Sequence, residues 1–452
     1  MKKQIIFMIV CLSVAILFGC QPTPEGPGPV AGHTSQADPG ADALVWKDVP
    51  ATCTTTAALP DGIKLVIDAD VMVPEVPLCK GSIQRIPFDM TMVEQVADVL
   101  FGNTPIYEYV ETKQELMEYI ATVNMQIEAA KDMLDESDIA FYRSIIDNME
   151  QAIPSRPDAE KAASLQRIFS YDNGFIKVDT GKNRKASFQA LSDDRRQILS
   201  FMDLGFKRHL IDDIPPLEIT EEEAIAQAEG VLDALGLGDS FCVVKTGVWP
   251  VNHTIVDQSL EKKGYVFPSR HERRYVTFMR KIGNADQVYS EQIQRGATEG
   301  AYDAAVFWEL IELQFDNDGL VSFHWQEPGQ VTVTEEQVSV IDLDAACAAM
   351  LAHMQASQNK YTYEPYGIPS QAITIHVDRI QLGMSCIVGK NGAIEAVPVW
   401  EFYGEMEYKD ENGNVSFVDT VNHGLSTESR GCNSVCTIHA ITGDVIDRGR
   451  GY

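Results

Sequence analysis

Tight turns between short strand-like runs constrain the fold of this chain most strongly. Asp172 to Gly174, Asp316 to Gly319, Asp410 to Gly413 and Thr442 to Asp444 each stand between runs of apolar residues. Asp, Asn and Gly accept the backbone angles of hairpin turns, so each segment predicts two antiparallel strands. The second and third segments also resemble calcium loops, but their glycine is at the fourth place and a calcium loop needs it at the sixth. Hairpins mixed with helices predict an α+β protein.

Residues 44–214 are predicted to form an N-terminal α+β domain with a helical hairpin. Apolar and charged residues alternate from Gly62 to Asp70, which predicts a strand with one buried face. Thr91 to Glu94 matches a capping box, so a helix is expected to begin there and to end at Gly102. A second box, at Thr112 to Glu115, begins an antiparallel pair of helices. The apolar positions of this pair are Leu116, Ile120, Val123, Ile127 and Leu134, then Ile139, Tyr142, Ile145, Ile146 and Met149.

Residues 215–330 and 331–452 repeat one order of elements, a helix followed by strands. Capping boxes at Thr220 to Glu223 and Thr334 to Gln337 are expected to begin the two helices. A half-buried sheet needs an apolar cover, so each segment predicts a small module in which a helix packs on an antiparallel sheet. The predicted strands include Phe241 to Val244, Tyr275 to Arg280, Trp308 to Phe315, Leu320 to Trp325, Ala372 to Val377, Gln381 to Val388 and Val397 to Tyr403.

The first twenty residues carry an export signal. Two lysines precede an apolar run from Ile5 to Phe18, and a glycine stands directly before Cys20. This pattern, with Leu17 to Cys20 as the lipobox, resembles bacterial lipoprotein precursors. Residues 1–19 are therefore predicted to be a cleaved signal peptide, with Cys20 as the lipidated first residue, carrying palmitate or a similar fatty acid. An uncleaved membrane anchor is the alternative, but the apolar run is short for crossing a bilayer.

The segment 20–43 is predicted to be a disordered tether, because Pro, Gly and small polar residues leave it little to bury. The whole chain has 36 basic against 66 acidic side chains, a formal net charge of −30. Such a surface repels nucleic acid and anionic lipid headgroups, so no nucleic-acid partner is expected. Attachment to the cell membrane, on its extracytoplasmic face, is expected to come from the acyl chains on Cys20.

Seven of the nine cysteines remain once Cys11 is cleaved away and Cys20 is lipidated. Export permits disulfides, but their connectivity cannot be read from spacing, and an odd number leaves at least one thiol unpaired. Cys432 and Cys436 have no second ligand pair nearby, so no zinc site is predicted. Cys347 lies on an apolar helical stripe with Leu343 and Met350, so it is predicted to be a buried thiol.

The sequence contains no catalytic, cofactor or metal motif that we would assign. His271 to Tyr275 lacks the second histidine that a zinc-protease helix requires. Gly236 to Gly238 follows a predicted helix and is too short for a dinucleotide fingerprint, so it is interpreted as a helix stop. Trp308, Trp325 and Trp400 lie in predicted strands and are expected in the core, although one of them lining a groove for a peptide or glycan is an alternative.

Three segments carry a resemblance to known proteins. Trp325 to Pro328, Val397 to Trp400 and Thr442 to Tyr452, together with the lipobox, resemble an uncharacterised family of lipoproteins from clostridial and related Gram-positive bacteria, a domain of unknown function. More remotely, Thr220 to Ala224, the Pro-Val-Trp strand and the final hairpin are similar to PepSY-like modules and to the extracytoplasmic regulators YycH and YycI. The resemblance implies localisation in the cell envelope and an α+β architecture, but it implies no particular reaction.

These observations favour a non-catalytic binding or regulatory lipoprotein of the cell envelope, with a protein or peptide as its partner. Two other classes stay open. A solute-binding lipoprotein of a transporter usually has two lobes with parallel sheets, against which the hairpin turns argue. An envelope hydrolase with a scattered catalytic set requires a nucleophile, a base and an orienting carboxylate that meet only in the folded chain.

Overall fold

The protein belongs to the α+β class, as the sequence predicts. The computed structural model describes residues 48–102, 106–108, 111–132, 134–159, 175–179, 185–192, 197–203, 216–251, 271–289, 308–356, 372–389, 393–410, 412–419 and 434–446. The predicted signal peptide 1–19, Cys20, the tether 20–43, the turn at Asp172 to Gly174 and Cys432 lie outside these ranges.

Seventeen strands and five α-helices occupy the described ranges. The strands are β1 (Thr52–Ala58), β2 (Lys64–Met72), β3 (Lys80–Arg85), β4 (Ile106–Glu108), β5 (Phe175–Asp179), β6 (Lys185–Ser192), β7 (Gln197–Asp203), β8 (Phe241–Val251), β9 (His271–Arg280), β10 (Leu310–Asp316), β11 (Gly319–Gln326), β12 (Gly329–Glu335), β13 (Ala372–Val388), β14 (Ile394–Lys409), β15 (Val415–Asp419), β16 (Ser434–His439) and β17 (Val445–Ile446). The helices are α1 (Met90–Phe101), α2 (Lys113–Ala130), α3 (Glu136–Ala152), α4 (Glu221–Ala234) and α5 (Leu343–Ala356).

The strands form two sheets. In the first sheet the order is β1-β2-β13-β14-β16-β17, with β3 beside β14 and β12 beside β3, and β15 also on β14. Strand β2 pairs with β13 in parallel, and the other named strands of this sheet pair antiparallel. The second sheet is antiparallel, in the order β4-β5-β6-β7-β11-β10-β9-β8.

Strand pairing crosses the predicted domain boundaries. The first sheet joins β2 from the segment 44–214 to β13 from the segment 331–452, and the second joins β7 from 44–214 to β11 from 215–330. The segmentation into 44–214, 215–330 and 331–452 stays a prediction. Each sheet nevertheless draws strands from two of these segments, so a sheet is completed only when distant parts of the chain meet.

The helix ends follow their capping residues. Capping boxes at Thr112 with Glu115 and at Thr220 with Glu223 begin α2 and α4, as predicted, and Gly236 has a positive φ of 72° directly after the last turn of α4. Helix α1 ends at Gly102, also as predicted. Helix α3 has a capping box of its own, formed by Asp135 with Asp138.

Two predicted capping boxes are wrong. Helix α1 begins two residues earlier than expected, because the Asp89 carboxylate accepts the Met92 amide at 2.9 Å, so Thr91 lies inside the helix. Thr334 belongs to β12, and α5 begins after Asp342, whose carboxylate accepts the Ala345 amide at 2.8 Å. In both cases an aspartate provides the cap that the sequence pattern assigned to a threonine.

Each sheet is covered by helices on an apolar face. Helix α5 packs on the first sheet through its buried face, which includes Leu343, Met350 and Met354, in one cluster with Trp400 and Ile438. Helices α1 and α4 cover the second sheet; their buried residues Val93, Val96, Ala224, Ala228 and Leu232 share a cluster with Phe278, Phe323 and Trp325. Helices α2 and α3 form an antiparallel hairpin with a core among their own side chains.

Three of the four predicted hairpin turns lie within the described ranges, and all three are present; the fourth, at Asp172 to Gly174, stays a prediction. Asp316 pairs with Gly319 between β10 and β11, and Gly319 has a φ of 110°. The Asp410 carboxylate accepts the amides of Asn412 and Asn414 and orders the next turn. The final turn joins β16 to β17, and Cys436, Ile438 and Ala440 lie in the core that α5 covers.

Candidate functional site

Polar side chains are buried where the chain passes between the two sheets. Strand β11 ends at Gln326 in the second sheet and β12 begins at Gly329 in the first, so Glu327 and Pro328 make the crossing. Strand β3 returns alongside, and the Ile86 amide donates to the Pro328 carbonyl at 2.8 Å. We name Arg85, Arg280, Glu309, Trp325 and Glu327 the junction cluster.

The Glu309 carboxylate is the centre of the junction cluster. Arg280 binds it through two parallel hydrogen bonds, Nε to Oε2 at 2.5 Å and Nη2 to Oε1 at 2.9 Å. The Trp325 indole N–H donates to Oε1 at 3.1 Å, and the Gly329 backbone also binds the carboxylate. Four donors from three segments therefore converge on one buried side chain, which fixes the end of β9 against the start of β12.

The environment of Glu309 opposes its charge. Burial raises the pKa of the Glu309 carboxyl, because a desolvated carboxylate is unfavourable, while Arg280, Trp325 and Gly329 act in the opposite direction. Arg280 also lies over the Phe241 ring, with 4.6 Å between its guanidinium carbon and the ring centroid. The guanidinium is thus held between an aromatic face and a carboxylate, an arrangement that suits its planar fork.

Glu327 makes the second ion pair of the junction cluster. Its Oε2 lies 3.3 Å from Arg85 Nε, and its side chain is almost completely buried. Glu327 has a φ of 49°, in the left-handed region that non-glycine residues rarely adopt. Gly329 is required two residues later, because an added Cβ would lie 2.8 Å from Ile83 Cγ2. The link between the sheets is therefore a specific and tightly packed turn.

Two glutamines bind backbone carbonyls beside the junction cluster. Gln326 Nε2 donates to the Trp308 carbonyl at 3.2 Å, and Gln287 Nε2 donates to the Arg280 carbonyl at 2.7 Å. Gln287 also forms a bridge with Met384 of the first sheet. These amides satisfy carbonyl groups that regular strand pairing leaves open at the ends of the strands.

Aromatic and cationic side chains make a second connection between the sheets. Lys245 Nζ lies 5.2 Å from the Tyr275 ring centroid and 5.7 Å from that of Tyr289. The Tyr403 hydroxyl donates to the Tyr289 carbonyl at 2.8 Å, and the Arg379 guanidinium lies 4.0 Å from the Tyr403 centroid. The series runs from β8 and β9 of the second sheet to β13 and β14 of the first.

Glu401 is a further buried acid, next to this series. It is 0% exposed, and both of its carboxylate oxygens contact the Thr437 hydroxyl, at 3.0 and 2.8 Å. Thr437 lies directly across from Glu401 in the pairing of β14 with β16. Burial raises the pKa of the neighbouring Cys436 thiol, and the Glu401 carboxylate raises it further.

The junction cluster pairs charges and holds its side chains in fixed orientations. Its carboxylates are bound by guanidinium, indole and backbone donors, and such contacts hold groups in fixed positions. Among the described residues, no group of three or more His, Cys, Asp or Glu side chains is placed to hold a metal ion. Within the same ranges, no helix is long and apolar enough to cross a membrane.

The three tryptophans lie where the sequence predicts. Trp308, Trp325 and Trp400 are all buried, and the Trp400 indole donates to the Ile341 carbonyl at 3.0 Å. Cys347 differs from its prediction, because it is half-buried and its thiol interacts with that of Cys53. The predicted lipidation site Cys20 is outside the described residues, so its modification stays a prediction.

Sequence reasoning missed the buried acids. Glu309 and Glu401 each stand inside an apolar run that includes a tryptophan, and the sequence pattern indicates only that both belong to strands. Both acids have a buried neighbour on each side, Trp308 and Leu310 for the first and Trp400 and Phe402 for the second. An acidic residue between two inward-packed apolar residues is the signal that was available, since such a strand is covered on both faces.

Comparisons with known proteins add a structural neighbour. No family model matches this sequence, and no curated protein matches it. The crystal structure of an uncharacterized protein from Eubacterium rectale is similar, with 10% sequence identity and a TM-score of 0.43. The alignment covers 88% of this chain and 94% of that chain. The resemblance to clostridial lipoproteins, PepSY-like modules and the YycH and YycI regulators stays a prediction.

Proposed function

We propose that the protein is a non-catalytic binding or regulatory lipoprotein of the cell envelope, held at the extracytoplasmic face of the membrane by acyl chains on Cys20. The observation that carries the proposal is the lipobox, Leu17 to Cys20, behind a basic start and an apolar run. The tether 20–43 gives the folded part a reach of roughly 25 Å from the bilayer, by the square-root scaling of a flexible chain.

The helical hairpin of α2 and α3 is the surface that we propose for the partner. Met117 and Met125 of α2 are each 49% exposed, and Phe141 of α3 is 54% exposed, although the hairpin already has a core of its own. Large apolar side chains on the outside of a self-contained element are typical of protein interaction sites. Methionines suit such sites because their flexible side chains adapt to different shapes.

Charge favours a basic partner for this hairpin. Residues 111–158 contain eleven Asp and Glu against four Lys and Arg. Opposite charge speeds association and selects partners. The proposed partner is therefore a segment of an envelope protein in which Lys or Arg stands next to large apolar residues.

The decisive test of the anchor is metabolic labelling with a fatty acid, comparing the wild-type chain with Cys20→Ser. The thiol is the acceptor of the lipid, so the proposal expects label in the wild type and none in the variant, which stays an unmatured precursor. A matched control is Cys11→Ser, which leaves Cys20 in place. Label in Cys20→Ser equal to that of the wild type would refute the anchor.

The strand pairing supports a binding protein over a solute-binding lipoprotein. The named strands pair antiparallel except for β2 with β13, whereas the solute-binding class is built on parallel sheets. An envelope hydrolase is tested separately, by incubating the purified protein with peptidoglycan and with peptide ester substrates. If the Cys20→Ser variant also hydrolyses these substrates, the protein is a hydrolase and the non-catalytic binding proposal is wrong.

A further inference from the structure

Two thiols from distant parts of the chain meet at the edge of the first sheet. Cys53 lies on β1, the edge strand, which pairs with β2. In that pairing Cys53 is directly opposite Ala69, a buried residue of the core under α5. Residues opposite each other in a ladder point to the same face of the sheet, so the Cys53 thiol is directed towards α5.

Cys347 approaches the same place from α5. It is one turn after Leu343 and one turn before Met350, both of which are buried in the core. Cys347 and Cys53 both pack against this core and are both half-buried. The two thiols share a side-chain hydrogen bond.

The other described cysteines are directed elsewhere. The Cys79 thiol donates to the Ile282 carbonyl, that of Cys242 to the Met279 carbonyl, and that of Cys386 to Gln287 Oε1. Cys436 is buried in the core beside Glu401. Cys53 and Cys347 are thus the pair that the fold brings together among the cysteines it describes.

We propose that Cys53 and Cys347 form a disulfide that joins the edge strand β1 to helix α5. The oxidant is a disulfide compound, and the reaction is an exchange in two steps. The thiolate of one cysteine attacks the oxidant and releases one thiol, and the second cysteine then attacks the mixed disulfide and releases the other. One sulfur–sulfur bond forms and one breaks, the two protein thiols are oxidised, and the oxidant is reduced to two thiols.

The bond has a clear mechanical role. The β1 sequence is mostly Thr and Ala, and Cys53 and Ala57 are its side chains that pack against the core. An edge strand held by two small side chains is weakly anchored, and edge strands are where sheets open. A covalent link to α5 keeps β1 in place and restricts the unfolded chain across a long loop.

The reduced Cys347 thiol reacts slowly at neutral pH. Burial, together with the neighbouring Cys53 and Asp344, raises the pKa of the Cys347 thiol to about 12. The thiolate is the reactive form, so exchange is faster under mildly alkaline conditions. The test therefore uses a mildly alkaline buffer and allows the thiol–disulfide exchange to go to completion.

The experiment treats the purified full-length mature chain with oxidised glutathione, blocks the remaining thiols with an alkylating reagent, and identifies the peptides by mass spectrometry without reduction. The expected result is a cross-linked pair of peptides containing Cys53 and Cys347, with a mass lower by two hydrogens than the sum of the reduced peptides. Cys53→Ser and Cys347→Ser each abolish the pair, and Cys242→Ser, another half-buried thiol, leaves it intact.

Thermal unfolding gives an independent readout. The oxidised wild type is expected to melt several degrees higher than the reduced protein, because the cross-link limits the unfolded ensemble. This difference disappears in Cys53→Ser and persists in Cys242→Ser. Alkylation of both Cys53 and Cys347 in the folded, oxidant-treated wild type, or a cross-link that joins either residue to a different cysteine, overturns the proposal.

Discussion

At the scale of single residues, the Glu309 carboxylate is the group on which the junction cluster depends. Glu309→Gln keeps the shape of the side chain but places an amide N–H₂ against donors that need an acceptor. Arg280 then remains largely buried beside a neutral group. We expect the free energy of unfolding to fall by about 3 to 5 kcal/mol, as for other broken buried ion pairs, and urea denaturation at neutral pH measures it.

The double variant Arg280→Met with Glu309→Leu is the matched control for this prediction. Removing both charges leaves no unpaired ion, so the double variant should be more stable than the summed losses of its own single variants, Arg280→Met and Glu309→Leu, imply. Full recovery is not expected, because the Trp325 indole and the Gly329 amide lose their acceptor. Strictly additive losses would show that Arg280 and Glu309 do not act as a pair.

His439 links stability to pH. Burial lowers the pKa of His439 and Lys80 lowers it further, while Asp444 and Glu395 act in the opposite direction. The Ile441 amide donates to Nδ1 at 3.1 Å, which requires an unprotonated nitrogen there. The unfolded chain therefore binds the proton more readily, and this contribution to stability is lost as the pH falls below about 6.5, the unfolded pKa of histidine.

His439→Asn provides the comparison for this pH dependence. Asparagine keeps an acceptor oxygen and cannot be protonated in this range. The unfolding free energy of the variant should fall less steeply than that of the wild type between neutral pH and about pH 5, since the histidine contribution is absent. Parallel slopes for the two proteins would mean that His439 is not held neutral by the fold.

At the scale of elements, Asp89 and Thr91 are the two candidates for the N-cap of α1, and substitutions distinguish them. Asp89 caps the helix, and Phe88 and Val93, which flank the first turn, are both buried in the core of the second sheet. We expect Asp89→Ala to lower the unfolding free energy by about 1 kcal/mol, the typical loss of an N-cap. Thr91→Ala should change it by less than about 0.5 kcal/mol, because Thr91 is exposed within the helix. Urea denaturation measures both losses, and a larger loss for Thr91→Ala than for Asp89→Ala would show that the helix begins at Thr91.

The last hairpin is a structural element of the first sheet. Cys436, Ile438, Ala440 and Ile446 are buried, and β16 pairs with β14. A chain that stops after Ser434 loses these side chains, each worth roughly 1.5 to 3 kcal/mol, and should be insoluble or unfolded. A chain that stops after Asp447 keeps both strands and should melt close to the full mature protein. If the shorter chain melts like the intact protein, the hairpin does not stabilise the sheet.

The sequence predicted which segments form helices and strands better than it predicted where those elements begin. The alternation from Gly62 to Asp70 predicted β2, and the capping pattern at Thr112 predicted the start of α2. The same pattern at Thr334 failed, because Val333 and Glu335 on either side of it pair with β3 and hold it in β12. Capping signals are short, so a nearby aspartate and a partner strand together outweigh them.

At the scale of the whole molecule, the sequence predicted the fold class and left the partners of the strands open. Alternation shows that one face of β2 is buried, but it carries no information on the pairing of β2 with β13. The junction cluster was missed for the same reason. Arg280 and Glu309 are ordinary charged residues in sequence, and their roles exist only because the end of β9 meets the starts of β10 and β12.

The proposed binding of a basic, apolar partner to the helical hairpin is tested most directly by photo-crosslinking in living cells, with a photoreactive amino acid at Met125 or Phe141. Gln151, exposed and polar on the same hairpin, and Trp249, an exposed aromatic residue elsewhere, are the controls. We expect one discrete adduct from Met125 and Phe141, with its cross-linked peptide rich in Lys or Arg beside apolar residues, and no such adduct from the controls. The same adducts from Trp249, or none from the hairpin, would contradict the proposed binding.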